Sequence, residues 1–296
     1  MKTTAAVTLV ALTFFYAPLA QADTFGSGAN TFDIEFVTIG DPGNPPGPYS
    51  YGSVRYDYRI GKYEISEDMI NKANALGNLG ITHGGQGANK PATSVSWFQA
   101  AKFVNWLNTS TGGMPAYKFD DAGNFRIWES GDAGFDPNNQ FRNRLARYVL
   151  PSSHEWFKAA YYDATAGVYY EFATGSDTLP TPVASGTAAG TAVYNVQSGP
   201  ADITLAGGLS PYGTMAQCGN VIEWQEQELF VSDPFFFRPT SGGWWSDSDP
   251  LVLSAIWNFP YEPTHEEDAI GFRVASIPEP STMLMGALAA AGLRTR

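Results

Sequence analysis

Polar and apolar residues alternate along two early segments of the chain, Phe32–Ile39 and Val54–Ile60. Alternation of this kind predicts a β-strand with one buried face and one exposed face. The segment between them, Asp41–Gly52, is rich in proline and glycine and predicts a loop. We therefore expect two strands, connected by an irregular segment, near the start of the fold.

Three helices are predicted from start signals that precede apolar residues at helical spacing. Ser66 is a predicted N-cap followed by two acidic residues in the first turn, and this helix should end near Gly77. Ser96 and Ser152 each stand three residues before a glutamine or glutamate, which is the spacing of a capping box. The apolar residues that follow Ser96 at helical spacing are Trp97, Ala100, Ala101, Val104 and Leu107.

Loops are expected to dominate the rest of the chain, which contains 31 glycines and 20 prolines in 296 residues. Residues 109–148 are mostly irregular in pattern and predict a surface insertion with two short strands. Residues 174–209 are rich in Gly, Ala, Ser, Thr and Pro and predict a further loop region. Few short helices, irregular strands and many loops indicate an α+β fold.

Charge and cysteine content exclude two classes of protein. The formal net charge is −12, and the 17 basic residues form no run, so no nucleic acid partner is expected because phosphate-binding faces need clustered Lys and Arg. A single cysteine rules out an internal disulfide bond.

The first 22 residues have the pattern of a secretory signal peptide. A lysine at position 2 precedes the apolar run Ala5–Ala20, and Ala20-Gln-Ala22 is a typical small-residue cleavage site. The mature chain is therefore predicted to begin at Asp23 and to be exported.

The last 20 residues combine a proline-rich motif, a short apolar segment and a basic end. Ile277-Pro-Glu-Pro-Ser-Thr282 is followed by the apolar run Met283–Leu293, which is shorter than the roughly 20 residues of a full membrane span. This order resembles the PEP-CTERM sorting signal of Gram-negative bacteria. The resemblance implies an exosortase-type enzyme as a partner and a location at the cell surface, outer envelope or extracellular matrix.

Six motifs, each with an aromatic residue and four of them with glycine, occur in one order between the two ends. They are Gly61–Ser66, Pro91–Trp97, Leu150–Trp156, Tyr212–Trp224, Ser241–Trp245 and Gly271–Ala275. Their order and spacing resemble the formylglycine-generating-enzyme (sulfatase-modifying factor) family. The resemblance implies that residues 23–276 form one domain of C-type-lectin-like topology.

The residues that would give this family its oxidase chemistry are missing. Active formylglycine-generating enzymes carry two cysteines that bind copper, and the matching positions here hold Asp247 and Val252. A carboxylate and an isopropyl group cannot form the thiolate site that copper(I) prefers, so no copper is expected. The only thiol, Cys218, is predicted to be a small packed side chain rather than a nucleophile.

A second branch of the family holds iron through three histidines. This chain has only His83, His154 and His265, and their contexts do not predict a shared ion. An enzyme with altered chemistry, a metal-dependent oxidoreductase of nonheme iron type with a remodelled carboxylate site, is kept as the alternative hypothesis.

The family resemblance also implies calcium. The positions that correspond to the family's calcium ligands are Asn195, Val196, Gly219, Val221 and Glu223. Carbonyl and carboxylate oxygens of this kind suit Ca²⁺. Ala216 stands where the family usually has Asn or Asp, which would weaken the site.

Late loops combine carboxylates with large aromatic residues, a composition that suits a sugar or a cation. The residues predicted to line such a surface are Trp244, Trp245, Asp247, Asp249 and Trp257. The first hypothesis for function is therefore an exported, non-catalytic binding or structural module whose partner is an extracellular polysaccharide or another extracellular ligand.

Overall fold

A computed structural model of the chain describes residues 21–227, 229–232, 235–256 and 258–277. The three helices in this part of the chain are α1 (Glu67–Gly77), α2 (Trp97–Ser110) and α3 (Ser153–Tyr161). The strands are β1 (Gln21–Phe25), β2 (Phe32–Ile39), β3 (Tyr58–Gly61), β4 (Lys118–Phe119), β5 (Phe125–Arg126), β6 (Tyr148–Val149), β7 (Tyr162–Asp163), β8 (Val168–Tyr169), β9 (Thr181–Pro182), β10 (Thr191–Ala192), β11 (Ile222–Trp224), β12 (Leu229–Ser232), β13 (Phe235–Ser241), β14 (Phe259–Tyr261), β15 (Ile270–Gly271) and β16 (Ala275–Ser276). Two 3-10 turns occupy Gly28–Asn30 and Pro250–Leu253.

All three predicted helices are confirmed, and their caps explain where they begin. The Ser66 hydroxyl accepts a hydrogen bond from the Met69 amide at the start of α1. Ser96 and Ser152 both form complete capping boxes, in which side chain and backbone satisfy each other's hydrogen bonds. Because these signals are local in sequence, they set the helix starts without help from the rest of the fold.

The first predicted strand is confirmed with its bounds, whereas the second is shorter than predicted. The predicted strand Val54–Ile60 forms β-structure only from Tyr58 onward. The amide and carbonyl of Val54 instead bond to Asn44 and Gly43 in the preceding loop. Residues 54–57 therefore belong to the loop that precedes β3.

Two sheets organise the domain. The first has the order β1-β2-β3-β16-β6, with antiparallel pairing throughout. The second has the order β12-β13-β11-β15, with β14 beside β13 and a parallel β11-β15 pair. One large apolar cluster joins the first sheet to α1 and α2 and includes Trp97, Trp224 and Phe272. The α+β class is confirmed.

Residues 109–148 are largely irregular, as predicted, but they are held firmly against α2. The Asn105 side chain accepts a hydrogen bond from the Tyr117 amide at 2.8 Å and donates one to the Tyr117 carbonyl at 2.7 Å. Strands β4 and β5 pair with each other within this segment. The segment is a fixed wall of the fold, so its side chains can build a site.

Both ends of the domain meet at one polar cluster. Asp23 in β1 forms an ion pair with Arg59 at 2.6 Å and accepts a hydrogen bond from the Tyr148 hydroxyl at 2.8 Å. Arg59 also donates to the Ser276 hydroxyl at 2.9 Å. Residues 1–20 of the predicted signal peptide and 278–296 of the predicted sorting tail lie outside the described residues, so both segments stay predictions. None of the helices in the described ranges is long and apolar enough to cross a membrane.

Candidate functional site

Glu223, predicted as a calcium ligand, lies fully buried in β11 and forms an ion pair with Arg273. Arg273 donates to its two carboxylate oxygens at 2.6 and 2.5 Å, and the Trp156 indole donates at 2.7 Å. Neither Glu223 nor Arg273 exposes its side chain to solvent. The three motifs that contain these residues are therefore joined by one buried carboxylate, which gives them a structural role.

Asn220 links the same region to the Gly61–Ser66 motif. Its backbone has a φ of 64°, a left-handed conformation that asparagine tolerates better than most residues. Its side-chain nitrogen donates to both oxygens of Glu64 at 3.0 and 2.9 Å, and its oxygen accepts from the Ala201 amide at 2.7 Å. The side chains of Asn220 and Glu223 are thus both engaged by partners inside the fold.

Glu64 is a buried carboxyl group whose pKa lies well above its usual range. Burial is the main cause, and the nearby charge of Glu223 adds to it, whereas Arg273 and the hydrogen bond from Asn220 act in the opposite direction. A carboxyl group with a raised folded-state pKa stabilises the fold at low pH, and that contribution is lost as the pH rises through the folded pKa.

Replacing Glu64 with glutamine is therefore expected to flatten the decrease in stability with rising pH. The measurement is the urea midpoint of unfolding at several pH values above about 4.3, the usual pKa of an unfolded glutamate. Glu35→Gln, which changes a carboxylate that is 44% exposed, is the control. A pH slope in Glu64→Gln equal to that of the parent protein would contradict the assignment.

The residues predicted to bind calcium make other contacts in this structure. An ion beside Glu223 would have to share the carboxylate with the guanidinium of Arg273. The backbone amides of Asn195 and Val196 bond to the carbonyls of Asp247 and Trp245, which attaches this loop to the Trp244–Asp249 segment. Ala216, the position that lacks the family's polar residue, is buried and apolar. Calcium binding by this chain stays an untested prediction.

The two positions that correspond to the family's copper cysteines also do not fit a metal. Val252 is buried in an apolar cluster with Trp156 and Cys218. The Asp247 carboxylate accepts a hydrogen bond from the Asp249 amide at 2.9 Å and closes a local turn. Burial raises the pKa of the Cys218 thiol to about 12. A neutral thiol at this depth behaves as a packed apolar side chain.

The three histidines lie in different surroundings. His83 contacts Asn71 at 3.0 Å, His154 packs against Tyr51, and His265 stacks on Tyr261. Among the residues that the structure describes, no three His, Cys, Asp or Glu side chains are arranged to hold a metal ion.

The predicted aromatic and acidic surface is divided between separate parts of the fold. Trp244 packs edge-on against Phe259, with ring centroids 6.0 Å apart. Trp245 packs instead against a cluster that contains Val193 and Met215. Asp249 caps the second 3-10 turn through the Leu251 amide. Trp257 lies outside the described residues, so this surface stays a prediction.

A groove with a volume of about 670 Å³ opens beside the start of α3. Four separate segments of the chain line this groove. The lining residues include Ser53, Tyr56, Asn138, Gln140, Phe141, Arg142, His154, Glu226 and Gln227. The sequence pattern does not indicate this site, because residues 137–142, which form one of its walls, fall in the segment interpreted as a surface insertion.

Arg142 lies at the floor of the groove between two buried carboxylates. It contacts Glu155 at 3.1 and 2.9 Å and Glu226 at 2.7 Å. The hydroxyl of Tyr56 donates to Glu155 at 2.5 Å, and the Asn139 amide donates to Glu226 at 2.8 Å. Three N–H bonds of the guanidinium are therefore directed at the carboxylates.

The pKa values of the two buried carboxyl groups, Glu155 and Glu226, are shifted in opposite directions. Burial alone would raise the pKa of Glu155, but the charge and hydrogen bonds of Arg142, with the hydrogen bond from Tyr56, lower it below the usual range. Burial raises the pKa of Glu226, and the charge of Glu155 adds to this, so that Arg142 offsets the rise only in part. Glu155 and Glu226 thus share Arg142 as their cation.

The sequence model of one protein family, the sulfatase-modifying factor enzyme 1-like domain, matches residues 48–277 of this chain. The chain belongs to this family. No curated protein matches the sequence of this family member closely enough to count as a relative.

Three solved structures have a similar fold at low sequence identity. Treponema denticola variable protein 1 is 18% identical with a TM-score of 0.61, over 88% of this chain and 100% of that one. The crystal structure of CarF is 20% identical with a TM-score of 0.61, over 83% of this chain and 99% of that one. PvdO from Pseudomonas aeruginosa is 14% identical with a TM-score of 0.54, over 86% of this chain and 98% of that one. These similarities support the predicted C-type-lectin-like topology and concern the fold alone.

Proposed function

We propose that this family member is an exported, non-catalytic binding module that holds an extracellular polysaccharide in the groove. The predicted signal peptide and sorting tail place it at the cell surface, in the outer envelope or in the extracellular matrix. An exosortase-type enzyme would process the tail. The observation that carries the proposal is the groove, whose floor is internally paired and whose walls carry uncharged polar groups beside one exposed cation, Arg55.

The chemistry of the groove suits a hydroxyl-rich ligand. Its volume of about 670 Å³ lies within the range of small-molecule sites in proteins. Ser53, Asn138, Gln140 and Gln227 offer uncharged donors and acceptors along the walls. The rings of Tyr56 and Phe141 add aromatic surface whose negative faces attract the C–H groups of a sugar ring.

Filling the groove with a bulky side chain is expected to weaken polysaccharide binding without unfolding the domain. Asn138 is exposed on the groove wall, and its amide nitrogen donates to Asp136 at 3.1 Å within a short turn. Asn138→Trp should therefore weaken binding by about tenfold or more, because the indole occupies the volume that a ligand needs. Binding is measured with the full chain on a glycan array and by calorimetry on the glycans that bind.

Asn124→Trp is a matched control. Asn124 is also exposed and donates to Asp120 at 3.3 Å in a similar turn of the same segment, but it does not line the groove. Equal loss in both variants would attribute the effect to folding. Unchanged binding in Asn138→Trp would remove the groove from the proposal.

The alternative, a metal-dependent oxidoreductase, is tested by metal content. The expected result for the full purified chain is no stoichiometric copper or iron by elemental mass spectrometry. Neither Asp247 nor Val252 provides a thiolate for copper, and no three His, Cys, Asp or Glu side chains among the described residues are arranged to hold iron. Stoichiometric redox metal, lost on substitution of Asp247 by asparagine, would favour the enzyme over the binding module. Calcium at one ion per chain would revive the calcium site and leave the groove proposal intact.

A further inference from the structure

Arg55 is a cation in the lining of the groove that the fold itself does not use. It is exposed there, in the loop that precedes β3. Among the residues that the structure describes, none forms an ion pair, a hydrogen bond or a ring contact with its guanidinium. The two buried carboxylates beside the groove, Glu155 and Glu226, are both bound by Arg142. They do not compete for Arg55, which is therefore available to a ligand.

The loop that carries Arg55 is held on both sides of this residue. The Val54 amide donates to the side-chain oxygen of Asn44 at 3.3 Å, and the Val54 carbonyl accepts from the Gly43 amide at 2.7 Å. On the other side, the hydroxyl of Tyr56 donates to a buried carboxylate at 2.5 Å. A side chain on a fixed backbone loses less conformational freedom on binding than one on a mobile loop. The loop is therefore suited to present a cation at one defined place.

The charges around Arg55 limit the kind of anion that fits. Among the described lining residues it is the only cation without a partner, because Arg142 is bound by carboxylates and burial lowers the pKa of His154, which leaves that ring uncharged at neutral pH. The formal net charge of the chain is −12, which repels a densely charged polyanion. One unpaired guanidinium in an acidic protein matches a single carboxylate, whose two oxygens fit its parallel N–H donors.

We propose that Arg55 recognises the carboxylate of a uronic acid residue in a polysaccharide that is otherwise neutral. The guanidinium binds the two carboxylate oxygens, and the uncharged wall residues Asn138, Gln140 and Gln227 bind the hydroxyl groups of neighbouring sugars. This inference rests on the proposed function and adds a rule for which polysaccharides the module selects.

The test compares saccharides that differ in one carboxylate. Oligomers of glucose are titrated against the full chain beside oligomers of the same linkage and length in which glucuronic acid replaces one glucose. Oligomers of galactose are compared in the same way with oligomers that contain one galacturonic acid. We expect the acidic member of at least one pair to bind about tenfold more tightly, because hydrogen bonds to a charged group contribute more than neutral ones.

Substitutions at Arg55 show whether this residue causes the preference. Arg55→Gln keeps a polar side chain without the charge and should abolish the preference, whereas Arg55→Lys should retain part of it. Arg144→Gln is the matched control, because Arg144 is also exposed, has no side-chain partner in the described part of the chain and does not line the groove. It should leave the preference unchanged. The affinity for the neutral oligomers should stay the same in every variant and serves as the folding control.

Equal affinity within every pair, or binding confined to neutral glycans, would overturn the carboxylate inference and leave the polysaccharide proposal standing. A preference that persists in Arg55→Gln, or that is lost equally in Arg144→Gln, would also overturn it. Failure of every glycan to bind would contradict the proposed function itself.

Discussion

Substituting Arg273 with methionine is expected to lower the free energy of unfolding by about 3–5 kcal/mol, because it leaves Glu223 charged and unpaired in the core. Arg273 contributes more than its ion pair with Glu223. Its guanidinium also donates to the carbonyls of Gly61 at 2.9 Å and Met215 at 2.8 Å. The loss should therefore lie near the upper end of this range and is measured by urea denaturation monitored by tryptophan fluorescence.

The surface pair of Arg126 and Asp120 provides the control. These residues lie 2.7 Å apart, but the Arg126 side chain is 58% exposed. Arg126→Met should cost less than about 1 kcal/mol, as exposed pairs usually do. If both variants lost similar stability, the buried network would not be the centre of the fold that its geometry indicates.

Combining Arg273→Met with Glu223→Gln separates charge from packing. Removing the orphaned carboxylate should recover part of the stability that Arg273→Met loses, since contacting residues are not additive. The part that is not recovered measures the backbone carbonyls that no longer have a donor. If the double variant lost more free energy of unfolding than the two single variants together, packing would outweigh the charge.

Features with local causes were predictable from the sequence. The starts of α1, α2 and α3 each depend on a serine and a partner three residues later, so a short window of sequence contains the whole signal. The eight-residue strand β2 has its alternation written within itself. The glycine-rich motifs were visible too, and they supported the family assignment that the match over residues 48–277 confirms.

The roles of the motif residues could not be predicted, because their partners are distant in sequence. Asn220 bonds to Glu64 across 156 positions, and Arg273 bonds to Glu223 across 50. Without those partners, the sequence shows Glu223 only as an oxygen ligand for the calcium that the family resemblance implies. The groove was missed for the same reason, since Arg142 contacts Glu226 across 84 positions and nothing local distinguishes it from a surface arginine.

Substituting Arg142 with methionine is expected to cost about 3–5 kcal/mol at neutral pH by leaving two buried carboxylates without their shared cation. Lys118→Met is the control, because Lys118 pairs with Asp132 at 2.6 Å with both side chains partly exposed. That control should lose less than about 1 kcal/mol. Equal losses in the two variants would contradict a special role for the floor of the groove.

The deficit of Arg142→Met should shrink as the pH falls. In the parent protein, the lowered pKa of Glu155 gives stability that is present at neutral pH and lost on acidification. Without Arg142, burial raises the pKa of Glu155 as it already raises that of Glu226, so the folded variant binds protons more tightly than the unfolded chain. The parent loses the contribution of the Arg142–Glu155 pair toward low pH, whereas the variant gains stability as Glu155 is protonated, so the difference in stability between the two proteins should narrow. Adding Glu226→Gln to Arg142→Met should produce part of this recovery at neutral pH, because it removes the carboxylate whose charge is most costly to bury.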